Sequence, residues 1–163
     1  MTKAALSGIK VVEYANMVAG PYCSKLLADM GADVIKVEPP EGDPARTFGP
    51  FPVNKPHREK SALFLYNNTS KRGITLDLKT VEGKKLFLQL IQWADVLIDN
   101  YPTGHLQSLG FDEEGLQRIN PSLIHTSITP YGHTGPRAHV KGDELTISHA
   151  GGLANLLPVR SVD

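Results

Sequence analysis

The stretch Gly8-Ile9-Lys10-Val11-Val12-Glu13-Tyr14-Ala15-Asn16-Met17-Val18-Ala19-Gly20-Pro21 decides the fold. Ile9, Val11, Val12 and Tyr14 put apolar side chains on both faces of an extended run, the pattern of a central strand covered above and below by helices. A tight turn follows, and Gly20-Pro21 opens a helix, proline being tolerated in the first turn because its missing N–H has no intrahelical partner there. Cys23, Leu26, Leu27 and Met30 recur at helical spacing, and Gly31 is placed to end the helix in the left-handed region. Val34, Ile35 and Val37 then form a second strand that ends at Glu38-Pro39-Pro40. Strand, helix and strand within about 30 residues make a right-handed βαβ unit. Open sheets of such units bind ligands at the carboxyl ends of their strands. Ala15 to Ala19 is therefore the first place to look for a site.

Outward from this unit, residues 39–68 carry Pro39, Pro40, Gly42, Pro44, Gly49, Pro50, Pro52 and Pro56. They read as a long loop of the kind that is usually functional or disordered. Ser61 to Tyr66 inside it fits either a short helix or a strand. Lys71-Arg72-Gly73 reads as a turn, and Ile74-Thr75-Leu76-Asp77-Leu78 alternates as a short strand. A helix follows, capped by Thr80, with Leu86, Phe87, Leu90, Trp93 and Ala94 facing inward and Lys84-Lys85 solvated. Residues 95–100 form the next buried strand, and its end at Asn100-Tyr101-Pro102 is a second strand terminus where a ligand fits. Thr103 and Asp112 are expected to cap two short helices, and residues 123–128 form the last strand. The order β-α-β, loop, β-α-β-α-α-β defines an α/β, Rossmann-like, largely parallel open sheet with helices on both faces.

The chain has 163 residues, with 17 basic and 17 acidic side chains and zero formal net charge. That balance argues against a nucleic-acid partner, which calls for a basic excess. A single cysteine, Cys23, excludes an internal disulfide framework and fits a reducing, cytoplasmic setting; it reads as a small core residue. No apolar run approaches the about 18 residues that span a bilayer, so no membrane role is expected. The first turn lacks G-x-G-x-x-G, which disfavours a dinucleotide, and there is no P-loop and no G-x-S-x-G elbow. The six histidines show no metal-ligand spacing. His125, mid-strand, reads as a hydrogen-bonded sheet histidine, and Asp95 and Asp99 as residues flanking their strand.

Several blocks in order carry a family resemblance. The run from Gly8 to Arg46, "GIKVVEYANMVAGPYCSKLLADMGADVIKVEPPEGDPAR", is similar to the start of the family III CoA-transferases, the group of formyl-CoA and carnitine CoA-transferases. So are "NNTSKRGITLDLKTVEGKKLF", "ADVLIDNYPTGHLQSLGF" and "INPSLIHTSITPYGHTGP". The resemblance covers about residues 6 to 158 and extends to the α-methylacyl-CoA racemases. It implies transfer of CoA between carboxylic acids through an aspartyl anhydride, an acyl-CoA or CoA as ligand with no metal, and a large Rossmann-like domain accompanied by a small one.

Carried over position by position, the resemblance places CoA against Met17, Val18 and Ala19, against Leu76 and Lys79 beside the adenosine and phosphates, against Asn100 and Tyr101, and near Lys141. The two lysines would supply local positive charge at strand-end loops. Departures from the family pattern are Pro39 and Ser108 at arginine positions and Val18 at a glutamine position. Asp143 stands where the racemases have the histidine of Gly-His-Asp, which removes one base of a two-base exchange and ranks racemase below transferase. The family's nucleophile falls beyond Asp163. Residues 1–163 are thus expected to be the N-terminal part of the large domain, lacking the small domain, the C-terminal return and the catalytic aspartate, and inactive alone. A homodimer or a complementary C-terminal chain is the expected partner. The alternatives are a non-catalytic CoA-ester binding or assembly module and a fragment that folds but binds nothing.

Overall fold

A computed structural model describes residues 4–156. Five strands, β1 (Lys10–Tyr14), β2 (Asp33–Glu38), β3 (Arg72–Thr75), β4 (Val96–Asp99) and β5 (Ile124–Ser127), form one sheet in the order β3-β2-β1-β4-β5. Every neighbouring pair is parallel, so all five carboxyl ends share one rim. Helices α1 (Ala19–Asp29), α2 (Ala62–Asn67), α3 (Val81–Trp93), α4 (His105–Ser108), α5 (Glu113–Ile119) and α6 (Glu144–Ala150) complete the order. The chain divides into a unit that ends at Ile128 and a second that begins at Thr129. The first holds the whole sheet; the described part of the second holds α6 and a short 3-10 turn, Leu153–Leu156.

Alternation along the strands sorts the core into two layers. Val12, Tyr14, Val37 and Leu97 point to one face and pack with Phe87 and Ile91 of α3, Leu106 of α4 and Leu116 of α5. Val11, Val34 and Ile98 point to the other and pack with Ala28 of α1 and with Ala32. Helices therefore cover both faces, as the doubly apolar strands require. Cys23 is half-buried against the second layer, and burial, reinforced by the charge of Glu13, pushes its thiol up.

Local detail departs from the sequence reading at several points. The third strand is Arg72–Thr75, not 74–78. The turn expected at Lys71–Gly73 lies at residues 68–70, with Ser70 at φ +63. Leu76 and Leu78 alternate because both drop into the core after the strand has ended. On α3 Phe87 and Ile91 face inward, continued by Ala94 just past its end, with Leu90 and Trp93 packed against them. Leu86 sits one step off that stripe and is 46% exposed. Thr80 and Asp112 cap α3 and α5 through the N–H groups of Gly83 and Gly115. Thr103 does not cap α4: Gly104, at φ +88, takes that position without a side-chain bond. Ser61 to Tyr66 resolves as the start of α2, with Ser61 accepting from Phe64 N–H.

The long loop is built rather than loose. Three 3-10 turns, Pro44–Thr47, Pro52–Asn54 and Arg58–Lys60, punctuate it. Arg46 ties it down, its guanidinium bridging Glu38 of β2 and Glu59 and lying 3.6 Å above the Phe64 ring.

Candidate functional site

β1 and β4 are neighbours, but their connections leave on opposite faces of the sheet: α1 follows β1 on one side, α4 and α5 follow β4 on the other. The gap above them is a topological switch point, where open α/β sheets take ligands. Two segments border it, Ala15–Ala19 and Asn100–Tyr101. They are locked together by Asn100, whose Oδ1 accepts from Asn16 N–H at 2.9 Å while its Nδ2 donates to Asn16 O at 2.7 Å. On the other side of the turn, Ala15 O accepts from Lys36 Nζ at 2.8 Å and Met17 N–H donates to Asp43 Oδ1 at 3.0 Å. Met17 is held at φ +60. Val18 precedes α1 without a side-chain cap, so the first-turn N–H groups of Ala19 and Gly20 present the positive end of the helix to the rim. Gly20 is required by close approach: a Cβ there would lie 2.4 Å from that of Ala15.

Of the residues singled out from sequence, Met17, Val18, Ala19, Asn100 and Tyr101 come together at this gap. Val18 and Ala19 are exposed, Met17, Asn100 and Tyr101 half-buried. Leu76 is buried in the same layer as Tyr14, so the chain beyond β3 packs beneath the rim. Lys79 is exposed in the following turn, close enough for its charge to act on His105. Lys141 is exposed in the second unit, ahead of α6. Asp143 N-caps α6 in a reciprocal capping box with Thr146. Pro39 lines a cavity of about 280 Å³ at the ends of β2 and β3, together with Glu38, Arg46, Arg58 and Thr75.

Beneath the gap Tyr101 belongs to an aromatic stack whose other members, Tyr14 and His105, the sequence reading did not single out as site residues. Tyr14 and Tyr101 are stacked at 4.6 Å, and Tyr101 and His105 at 4.2 Å; Tyr14 Oη lies 3.3 Å from His105 Nε2. Burial, with the charge of Asp99 added, pushes the Tyr14 hydroxyl far up, so it stays protonated. Burial also pushes His105 down, reinforced by Lys79 and only partly opposed by Asp99. At neutral pH the imidazole is uncharged. A depressed folded-state pKa means the unfolded chain takes up the proton first as pH falls from about 6.5, and stability is lost from there down through the folded value. The thermal midpoint is expected to fall as pH drops below about 6.5, and His105→Gln to flatten that slope in melting experiments. An equal slope in the variant would contradict the assignment.

The turn rests on a buried ionic cluster. Glu13 and Lys36 stand opposite each other in the β1–β2 register, on the α1 face, both essentially without solvent contact. Lys36 Nζ lies 2.7 Å from Glu13 Oε1 and 2.9 Å from Asp43 Oδ2. Lys71 Nζ lies 2.7 Å from Glu13 Oε2 and also donates to Pro21 O and Asn68 Oδ1. Ser24 Oγ donates to Glu13 at 2.5 Å. Burial works against the Lys36 ammonium, but Glu13 and Asp43 outweigh it and raise its pKa. For Lys71 burial wins and the pKa is lowered. Glu38 is pushed up by burial, yet Arg46 and the Asp43 N–H bring it below the usual carboxylate range. A signal for this cluster was available: a glutamate and a lysine inside apolar central strands need buried partners. At the far side of the gap, His125 Nε2 lies 2.7 Å from Asp99 Oδ2, the hydrogen-bonded sheet histidine expected. Asp95 flanks β4, its carboxylate accepting from Lys10 N–H. Among the described residues, no group of three or more His, Cys, Asp or Glu is placed to hold a metal, and no helix is long and apolar enough to cross a membrane.

The fold is an open α/β sheet of five parallel strands with a stiffened turn at its switch point. The sequence profile of CoA-transferase family III matches residues 6–159, and the chain belongs to that family. It is 44% identical over 157 residues to the succinate–glutarate CoA-transferase of Agrobacterium fabrum, covering 94% of this chain and 39% of that protein. It is 43% identical to the succinyl-CoA:(R)-benzylsuccinate CoA-transferase subunit BbsE of Thauera aromatica, covering 96% of this chain and 40% of that protein. The crystal structure of a CAIB/BAIF family protein from Brucella suis superposes with a TM-score of 0.89 at 43% identity, over 99% of this chain and 43% of that one. The chain thus spans about two-fifths of the length of these relatives.

Proposed function

We propose that this chain supplies the CoA-ester-binding rim of a family III CoA-transferase, as the N-terminal part of its large α/β domain. The observation that carries this reading is the switch-point gap between β1 and β4, bordered by Met17–Ala19 and Asn100–Tyr101. A CoA ester is an elongated polyanion with an adenine at one end and an acyl thioester at the other. The first turn of α1 and the Lys79 ammonium offer partial and full positive charge to its phosphates. Leu76 and Tyr101 are proposed as apolar contacts and Asn100 as the lock that holds the turn. Arg46 and Arg58 beside Pro39 supply guanidinium groups near the position where the family pattern has an arginine.

The reaction proposed for the whole protein is transfer of CoA between carboxylic acids through an aspartyl anhydride. Four carboxylates near the rim are already engaged, which suits none of them to be the nucleophile. Glu13 and Asp43 are paired with buried lysines, Glu38 with Arg46, and Asp99 with His125 and the Tyr101 N–H. The role proposed for this chain is to bind and orient the ester, with the reacting carboxylate supplied from outside residues 1–163, by further sequence of the same protein or by a complementary chain.

Calorimetry with CoA and succinyl-CoA tests the reading. Binding is expected, and Lys79→Ala should weaken it by about three- to ten-fold at low salt, less at high salt because the contact is exposed. Absence of binding by the wild-type chain would overturn it.

A further inference from the structure

The proline-rich loop and the β1–α1 turn meet at one side chain, Asp43, which is 2% exposed. Its Oδ1 accepts from Met17 N–H at 3.0 Å, on the turn, and from Ala45 N–H at 2.8 Å, on its own loop. Its Oδ2 lies 2.9 Å from Lys36 Nζ, and its own N–H donates to Glu38 Oε2 at 2.9 Å. Lys36 grips the same turn from the other end through Ala15 O at 2.8 Å. The pair thus clamps the peptide units on either side of Asn16. The clamp falls where the backbone needs it, because Met17 sits at φ +60, in a region that a side-chain-bearing residue occupies only when its surroundings hold it there.

We propose that Asp43 is the positioning residue of the rim site: its buried carboxylate, aligned by Lys36, holds Met17 in the left-handed conformation and so sets the direction in which the backbone of Met17–Ala19 faces a ligand. This rests on the reading of the rim as a CoA-ester site and extends it to a residue beneath the binding surface. It also gives the long loop a function, since residues 39–48 deliver Asp43 to the turn.

Asp43→Asn tests this with little change of volume. In one amide orientation Nδ2 faces the Lys36 ammonium; in the other it faces the N–H groups of Met17 and Ala45. Either way one arm of the clamp is lost. Asp43→Asn is expected to weaken CoA binding at least about ten-fold, since bonds to a buried charged acceptor are among the stronger ones. Hydrogen exchange at residues 17–19 should speed up while the β1 amides of Val11–Glu13 keep their protection. Met17→Gly in the Asp43→Asn background should recover most of the lost affinity, because glycine takes positive φ without support. A merely structural role would move the β1 amides as well and would not be rescued by glycine. Should Asp43→Asn fail to fold, Asp43→Glu keeps the charge but shifts the acceptor, and the same losses are expected. Wild-type affinity and unchanged exchange at 17–19 in the variant overturn the proposal. If the wild-type chain binds no CoA, the reading of the rim fails, and the exchange at residues 17–19 still decides the role of Asp43.

Discussion

Glu13→Ala is expected to destabilise the chain by about 3–5 kcal/mol, the usual cost of removing one partner from a buried ion pair. Glu13 is fully buried on β1 and touches both lysine ammoniums and the Ser24 hydroxyl. Without it, Lys36 and Lys71 are left in the interior facing one carboxylate, Asp43, and a few carbonyl oxygens. Against a typical total of about 5–15 kcal/mol, that is from about a fifth to the whole of the stability. Glu13→Gln keeps the shape and some hydrogen bonds and should cost less. Urea denaturation of the two variants measures both. A loss under about 1 kcal/mol for Glu13→Ala would mean that Lys36 and Lys71 find other partners.

Gly20→Ala is the second large effect, and it joins the packing to the site. The added methyl would lie 2.4 Å from Ala15 Cβ and 3.5 Å from Asn100 Cβ, so α1 must move away from the end of β1. Overpacking of this kind costs about 1–3 kcal/mol. The displacement falls on the residues that border the gap, so CoA binding should drop more than stability does. Ala15→Gly removes the atom that is struck, and the double variant Ala15→Gly/Gly20→Ala should regain most of the melting temperature and part of the affinity. If Gly20→Ala alone melts and binds like wild type, the turn is softer than its hydrogen bonds imply.

The architecture was legible in sequence because its signals are local. Apolar runs on both faces fix β1, β2 and β4 as central parallel strands, Thr80 and Asp112 announce their helices, and the strand ends place Met17–Ala19 and Asn100–Tyr101 on one rim. Where local and tertiary preferences diverge, the reading slipped. Leu76 and Leu78 alternate like a strand, although the ladder begins at Arg72 and ends at Thr75. Thr103 has the chemistry of a cap, but Gly104 occupies the cap position. The clamp was hidden for a different reason: Asp43 lies within a proline-rich loop, and its partners Met17 and Lys36 are joined to it only by the sheet. The unexplained charges at Glu13 and Lys36 were the visible clue. His105 escaped because Tyr14, whose ring and hydroxyl it meets, comes from the end of another strand, β1.

The central claim is that the switch-point rim holds a CoA ester. Amide NMR spectra of the full 163-residue chain titrated with CoA test it most directly. The expected result is saturable shifts centred on Met17, Val18, Ala19, Asn100 and Tyr101, with smaller ones at Leu76 and Lys79. Shifts confined to the opposite, amino-terminal edge of the sheet, or none at saturating CoA, would contradict it.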